Sequence, residues 1–219
     1  MRRKPSFFQR NGLSIFVLGF FLLFWAAQAV TGWQVYNEMR AEESATALGF
    51  SAYLATGNFL EVTFENWESE FFQMCLYVFA TVWLRQQGSS ESKPVEGKSD
   101  VDAEPKAHPR APWPVRRGGW VLALYKQSLA LAFLALFLFC FVFHLYGSYK
   151  NQVEEAILKG HPADTFVTFL GGPTFWFESF QNWQSEFLAI ASIVILSIWL
   201  RQHGSPESKP VDMPHEDNP

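Results

Sequence analysis

Charge is scarce in this sequence, and neither sign dominates. The 219 residues include 17 Lys and Arg, 21 Asp and Glu and 5 His, which gives a formal net charge of −4 at pH 7. A protein that binds nucleic acid broadly needs a surplus of basic groups to neutralise phosphates. The composition therefore argues against a nucleic-acid partner.

Cysteine is almost absent, and the recognised catalytic signatures are missing. The two cysteines, Cys75 and Cys140, fall inside apolar runs and have no partner at metal-ligand spacing, so we expect small buried hydrophobic side chains. No G-x-S-x-G, H-E-x-x-H, phosphate-binding glycine loop or C-x-x-C occurs. We therefore expect no enzymatic activity, no cofactor and no metal site.

Aromatic residues, in contrast, are abundant, with 23 Phe and 9 Trp. They crowd into four apolar runs flanked by basic residues, which is typical of membrane spans with aromatic belts. The runs cover residues 14–33, 71–84, 129–146 and 187–200. The first is about 20 residues long and can cross a hydrocarbon core of about 30 Å, whereas the second and fourth, about 14 residues each, fall below the usual spanning length.

An internal repeat organises the sequence. A shift of 116 residues superimposes residues 10–95 on residues 126–211 without a gap, so that Gln28 falls on His144. Between residues 64 and 95 about half of the positions are identical, including the strings WLRQ and ESKPV. The sequence therefore predicts a tandem duplication of a unit with two spans.

The beginning of the chain has the features of a secretory signal. Arg2, Arg3 and Lys4 precede an apolar stretch with an A-x-A triplet at residues 27–29. However, the third run is the repeat counterpart of the first and carries no cleavage signal. We therefore expect the first run to be retained as a span.

Basic residues are distributed unevenly between the ends of the runs. The two intervening loops, residues 34–65 and 147–181, contain only Arg40, Lys150 and Lys159 as basic residues, and the other Lys and Arg lie before, between and after the two-span units. Because cytoplasmic segments carry the excess of Lys and Arg, we expect both termini in the cytoplasm. The two repeats then run parallel.

The predicted fold is an all-α integral membrane protein with four transmembrane helices arranged as two parallel repeats. The first repeat covers residues 1–93 and the second covers residues 118–204. Residues 94–117 and 205–219 predict a disordered cytoplasmic linker and tail, because they are rich in proline and charge.

The two outer loops are rich in Phe and Trp, which predicts amphipathic helices on the outer face. Gly171, Gly172 and Pro173 predict a break within the second of these loops.

One motif of the repeat places acidic residues at the outer edge of a span. ENWESEFF at residues 65–72 returns as QNWQSEFL at residues 181–188. Thr63 or Asn66, and in the second copy Ser179 or Asn182, are suitable N-cap residues, and the glutamates that follow would then lie in the first turn of a helix.

Glu68 of this motif becomes Gln184 in the second copy, so that only Glu70 and Glu186 recur among its carboxylates. We predict a polar cluster in the outer leaflet, arranged about the pseudo-twofold axis. Such a cluster packs spans together or binds a proton or a cation. Its expected members are Asn66, Glu70, Asn182, Glu186, Gln28 and His144.

Tryptophans and a cytoplasmic motif complete the set of candidate residues. Trp67, Trp83, Trp183 and Trp199 are expected to be interface anchors, and Gly88 and Gly204 to be left-handed helix caps. The repeated residues after these glycines are expected to dock against the protein's own helices or against a partner. They are Glu91, Ser92 and Lys93, and their counterparts Glu207, Ser208 and Lys209.

The strings FENWESEF and SFQNWQSEF, each followed by WLRQ, resemble a family of small bacterial four-span membrane proteins catalogued only as a domain of unknown function. The resemblance covers nearly the whole chain except the linker. It implies a bacterial inner-membrane location, and it supplies neither an activity nor catalytic residues.

Two classes of function remain open. The protein is either a membrane accessory or scaffold that packs or recruits a partner through its repeated motifs, or a small oligomeric proton or cation transporter or channel that uses Glu70 and Glu186. Neither repeat shows the broken helix that often marks a substrate site. The expected partners are the lipid bilayer and either further copies of the chain or another membrane protein.

Overall fold

The computed structural model describes residues 5–97 and 99–218. Within these residues it contains α-helices, one short 3₁₀ helix over Asp100–Asp102 and no strand, so the predicted all-helical class is confirmed. Arg2, Arg3, Lys4 and Lys98, which contribute to the predicted topology, lie outside the described residues. The helices are α1 (Phe7–Glu42), α2 (Phe50–Tyr53), α3 (Gly57–Ala80), α4 (Trp113–Arg117), α5 (Gly119–Lys126), α6 (Ser128–Leu158), α7 (Phe166–Gly171) and α8 (Thr174–Trp199).

Helix α1 begins with a capping box. The Ser6 hydroxyl accepts a hydrogen bond from the Gln9 backbone N–H at 3.2 Å, and the Gln9 side chain accepts one from the Ser6 N–H at 2.8 Å. The helix continues through the polar residues after Trp33 as far as Glu42. Its 36 residues therefore span about 54 Å at 1.5 Å per residue.

Two of the described helices are long and apolar enough to cross a bilayer. Over their most apolar 18 residues, α1 and α6 have mean hydropathies of 2.2 and 2.5, and only 6% and 11% of these stretches are buried. A core helix of a soluble protein would bury such a stretch, although a signal sequence shares the composition and the position of α1. The structure is thus compatible with membrane association through two helices.

Helices α3 and α8 do not meet the same criterion of length and hydropathy. The structure therefore supports two spans by composition and not the predicted four. The predicted runs at 71–84 and 187–200 are only the second halves of longer helices. Their first halves contain glutamates, which lower the hydropathy but are good helix formers.

The positions of these helix starts correct the predicted caps. Helix α3 begins at Gly57 and α8 at Thr174, so Asn66 and Asn182 lie inside helices and do not cap them. For the same reason, Glu70 and Glu186 do not lie in first turns. The aromatic residues before each motif continue the helix toward its N-terminus instead of forming a separate loop.

The chain divides into two compact units, of which the first comprises Met1–Thr63 and Leu145–Gly171. Tyr36 and Tyr53 are buried in its core, with ring centroids 5.6 Å apart. The backbone of Leu48 is held by Trp33 and Asn37: its carbonyl accepts from the Trp33 indole at 2.7 Å, and its N–H donates to the Asn37 amide at 2.7 Å. The segment after α1 therefore folds back onto that helix.

Two glycines of this first unit allow helix backbones to approach each other closely. A Cβ atom on Gly57 would lie 2.1 Å from the Asn151 backbone nitrogen, and one on Gly147 would lie 2.5 Å from the Glu61 backbone nitrogen. Small residues commonly serve this purpose where helices pack. Beside this contact, the Ser148 hydroxyl donates to the buried Glu61 carboxylate at 3.0 Å.

The second unit comprises Phe64–His144 and Gly172–Pro219. In it, Phe72 of α3 packs between Phe137 of α6 and Trp183 of α8, with ring centroids 5.0 Å and 4.5 Å away. Three helices therefore meet in this unit. The domain boundaries predicted from the repeat stay predictions.

Candidate functional site

The second unit encloses a histidine and a glutamate without any solvent exposure. His144 of α6 and Glu68 of α3 are both 0% exposed. The His144 Nδ1 lies 2.6 Å from Glu68 Oε2, a short distance typical of a charge-assisted hydrogen bond. The pair links α3 to α6.

A second carboxylate lies on the other side of the same ring. Glu178 Oε2, from α8, is 3.7 Å from His144 Nε2, within ion-pair range but beyond hydrogen-bond distance. The Glu178 side chain is 22% exposed. The imidazole is thus placed between a fully buried and a partly exposed carboxylate.

Glu68 has a third neighbour that fixes its orientation. The Trp183 indole N–H donates to Glu68 Oε1 at 2.9 Å, so both carboxylate oxygens are engaged. An ionised Glu68 accepts from the Nδ1–H of His144, which selects that tautomer of the neutral ring. Nε2 is then the ring atom at which a proton is gained or lost, and it faces Glu178.

A second side-chain contact between α3 and α8 lies near the His144–Glu68 pair. The Asn182 amide donates to the Glu65 carboxylate and also, at 3.0 Å, to the Glu178 backbone carbonyl. Three carboxylates, Glu65, Glu68 and Glu178, therefore lie in the vicinity of one histidine. We call His144 with these three glutamates the His144 cluster.

The walls of the His144 cluster are apolar. Phe175 is 0% exposed and its ring centroid lies 4.8 Å from that of His144, and Cys140 is 1% exposed. In such surroundings charges interact more strongly than in water, and an unpaired charge is costly. The removal of one partner from the buried His144–Glu68 pair would therefore be destabilising.

The structure brings together some of the residues that the sequence predicts for a polar cluster and separates others. His144 and Asn182 lie in or beside the His144 cluster, whereas Asn66 and Glu70 are exposed. Glu186 is half-buried, and its backbone carbonyl accepts from Gln73 at 2.8 Å. Gln28 belongs to the first unit.

The internal repeat does not mark the three glutamates of the cluster, because none of them recurs in the other copy. Under the shift of 116 residues, Glu65 and Glu68 fall on Gln181 and Gln184, and Glu178 falls on Val62. A better signal was available: Glu65 and Glu68 are three residues apart, so they share one face of an otherwise largely apolar helix.

The predicted interface anchors occupy different environments. Trp183 is half-buried and donates a hydrogen bond to Glu68 of the His144 cluster. Trp67 is half-buried beside Phe64. Trp83 and Trp199 are 61% and 56% exposed, as residues at a membrane interface would be.

The two ESK segments adopt the same local structure. Ser92 accepts from the Gln86 N–H at 2.8 Å, and its counterpart Ser208 accepts from the Gln202 N–H at 2.9 Å. Gly88 and Gly204 have φ angles of 80° and 83°, as the sequence predicts, although each lies in a turn several residues beyond its helix.

These segments contact their own unit. The Ser89 hydroxyl lies 3.0 Å from that of Ser197 in α8, and the Ser90 hydroxyl donates to the Glu207 carbonyl at 3.0 Å. In addition, Tyr77 donates to the Glu91 carboxylate at 3.2 Å and Lys93 pairs with Asp102 at 2.5 Å.

Lys209 organises the end of the chain. It is 1% exposed, and its ammonium donates to the carbonyls of Pro214, His215 and Asp217 at 3.2, 3.0 and 2.9 Å. Burial lowers the pKa of the Lys209 ammonium. These contacts hold Lys209 against the residues that follow it, and the predicted disorder of the tail stays a prediction.

Fold and site together define a class of protein: an all-helical chain with two exposed apolar helices and a buried acid–histidine cluster. Within the described residues, no group of three or more His, Cys, Asp or Glu side chains is arranged to hold a metal ion.

The family model described as Domain of unknown function (DUF6766) matches residues 4–218, and the chain therefore belongs to that family. Neither a curated protein nor a solved structure matches the chain.

Proposed function

We propose that this protein is a multi-pass protein of a bacterial inner membrane, in which α3 and α8 cross the bilayer together with α1 and α6. The repeat supports this arrangement, because α3 and α8 occupy equivalent positions in the two copies of the sequence. The distribution of basic residues supports cytoplasmic termini.

Its proposed function is to carry protons or monovalent cations across that membrane, without enzymatic chemistry, at the His144 cluster. The observation that carries this proposal is the fully buried imidazole between Glu68 and Glu178. Ionisable side chains within a bilayer are costly, and in membrane proteins they mark ion pathways and proton relays. The proposed site therefore contains Glu68 and Glu178. Glu70 and Glu186, which the sequence predicts, lie outside this buried group.

The geometry supports a sequence of proton positions. Glu178 is the partly exposed carboxylate and receives the proton first, and His144 Nε2 accepts it next. The imidazolium that results faces a carboxylate at each nitrogen, which compensates its charge. Release of the Nδ1 proton to Glu68 then leaves a neutral ring with its hydrogen at Nε2, so that one proton has passed from Glu178 to Glu68.

A flux measurement tests this function. The purified protein is placed in liposomes that contain a pH-sensitive dye, and proton and cation entry is followed under imposed pH gradients and potentials. Glu68→Gln and His144→Gln each install the residue that stands at the counterpart position of the other repeat. We expect both changes to abolish flux, and the exposed control Glu70→Gln to retain it.

Liposomes with wild-type protein that are no more permeable than empty ones would contradict the transport proposal. Flux that survives in Glu68→Gln and His144→Gln but is lost in Glu70→Gln would return the site to the residues predicted from repetition. Helical circular dichroism of every variant confirms that the protein is folded.

An accessory or scaffold function is the second candidate, and the same cluster favours it for a different reason. Glu68 contacts both α6 and α8, so it holds three helices together whether or not an ion moves. In that case wild-type protein conducts nothing, and Glu68→Gln lowers the melting temperature and weakens association with a partner or a second copy of the chain.

A further inference from the structure

A stretch before α6 is basic and contains no acid. Residues 105–127 include no Asp or Glu. Their basic residues are Lys106, Arg110, Arg116, Arg117 and Lys126. The net charge of this stretch is therefore positive, whereas the net charge of the whole chain is −4.

This stretch folds into two short helices. Helix α4 has a proline near its start, which suits the first turn of a helix, and ends at Arg117. Gly118 and Gly119 then have φ angles of 71° and 59°, a region that favours glycine, and α5 follows immediately. One residue, Gln127, separates α5 from the exposed apolar helix α6.

Large apolar side chains of α4 and α5 are exposed beside the basic ones. Trp113 and Trp120 are 58% and 74% exposed, and Leu124 is 55% exposed. Arg116 and Arg117 are exposed as well, and the Arg117 guanidinium lies 5.6 Å from the centre of the Trp113 ring. We call residues 110–126 the basic aromatic segment.

One basic residue of the segment is already paired. Lys126 lies 2.8 Å from the Glu104 carboxylate, which is 86% exposed. Arg110, Arg116 and Arg117 have no comparable ion pair among the described residues, and of these Arg116 and Arg117 belong to α4, beside the exposed Trp113.

We propose that the basic aromatic segment lies on the cytoplasmic leaflet and binds the headgroups of anionic phospholipids through Arg116 and Arg117. Exposed tryptophans next to a span are typical of the membrane interface. Basic residues close to a span are attracted by the negative surface of that leaflet. The segment is continuous with α6, so its position on the bilayer follows from the insertion of that helix. The inference rests on the proposed membrane location and not on the ion site.

Lipid retention by the full chain tests the inference. The protein is reconstituted in nanodiscs of phosphatidylcholine and phosphatidylglycerol, and native mass spectrometry counts the lipids of each class that stay bound. For the double variant Arg116→Gln, Arg117→Gln we expect bound phosphatidylglycerol to fall by about 5-fold per arginine. Bound phosphatidylcholine stays unchanged.

Two further variants complete the design. Arg116→Lys, Arg117→Lys keeps the charge and is expected to keep the lipid, which separates headgroup binding from any change in helix orientation. Lys159→Gln removes an exposed cation from a predicted outer loop, on the other side of the membrane, and is expected to leave retention unchanged.

Three outcomes would overturn the inference. They are equal phosphatidylglycerol retention by wild type and the glutamine variant, an equal loss in the Lys159 control, and displacement of the lipid by free glycerol phosphate. The last would assign the two arginines to a soluble phosphate compound. A loss of proton flux with lipid retention intact concerns the His144 cluster only.

Discussion

Glu68 makes the two hydrogen bonds that join three helices in the His144 cluster. One oxygen contacts the imidazole of His144 and the other accepts from the indole of Trp183. No solvent reaches the carboxylate to replace either contact. Its removal leaves the buried His144 ring and the half-buried Trp183 indole without an acceptor, and this loss can be measured separately from any transport.

We expect Glu68→Ala to reduce the free energy of unfolding by about 3–5 kcal/mol, because it breaks a buried ion pair by removing one partner. Denaturant unfolding in detergent micelles measures the difference. The control Glu70→Ala, two positions away and exposed, should stay within about 0.5 kcal/mol of wild type. Equal effects of the two changes would show that the burial of Glu68 does not govern its contribution.

The indole N–H of Trp183 can be tested without removing its ring. Trp183→Phe keeps most of the packing against Phe72 but leaves Glu68 Oε1 without its donor. The expected loss of stability is about 1–3 kcal/mol, the cost of a buried polar group left unsatisfied. Trp199→Phe, in an exposed position, serves as the control in the same unfolding experiment. A similar loss in both would argue against the hydrogen bond as the cause.

At the scale of elements, the close approach of α6 to the beginning of α3 depends on a residue without a side chain. Gly147→Ala places a methyl group 2.5 Å from the Glu61 backbone nitrogen, so a backbone must move. We expect a loss of about 1–3 kcal/mol, as is usual for overpacking. Gly19→Ala in α1 meets nothing within 4 Å and should be neutral or stabilising by up to about 1 kcal/mol. Thermal unfolding of the two variants compares them, and a Gly147 variant as stable as wild type would contradict the tight packing.

The four long helices could be predicted from the sequence, but their first residues could not. The apolar runs mark the parts of α3 and α8 that follow Glu70 and Glu186. The helical turns that precede these two glutamates contain no such run and are not predicted by it. Those turns form because glutamate and aromatic residues continue a helix once it exists. The predicted break between α7 and α8 at Gly172 and Pro173 is confirmed. Glycine and proline interrupt a helix through their own backbone conformation, which does not depend on packing.

The candidate site was predicted only in part, for a related reason. His144 was identified as a polar residue within an apolar run, and Asn182 through the repeated motif. The carboxylate partners of His144 come from two different helices, and their identity depends on packing that no local pattern encodes. Repetition pointed to Glu70 and Glu186, since residues that recur are the most visible ones in a single sequence.

At the scale of the whole molecule, the orientation of the chain is open to a direct test. A tag placed after the C-terminal residue should resist protease added to intact spheroplasts and be digested in inverted vesicles, because positively charged segments stay in the cytoplasm. A tag inserted at Thr46, in a loop that we propose to be on the outer side, should show the opposite pattern. Digestion of both tags from the same side would contradict the four-span arrangement.

The hydrogen bonds of Lys209 to the C-terminal tail can be tested by proteolysis of the whole protein. Lys209→Met removes the donor to three carbonyls of the tail, and limited proteolysis should then release the tail faster. Lys93→Met changes the counterpart position, which pairs with the half-exposed Asp102, and should leave the rate unchanged. Mass spectrometry of the released peptides gives the rates. Equal rates for wild type and Lys209→Met would show that these hydrogen bonds do not hold the tail.

The composition of the His144 cluster has a consequence for the two halves of the chain. Glu65 and Glu68 come from the first half, whereas His144, Glu178 and Trp183 come from the second. A chain made of two first halves would carry glutamine where the histidine stands, and a chain made of two second halves would carry glutamine in place of Glu68. Each half thus supplies a residue of the cluster that the other half lacks at the counterpart position.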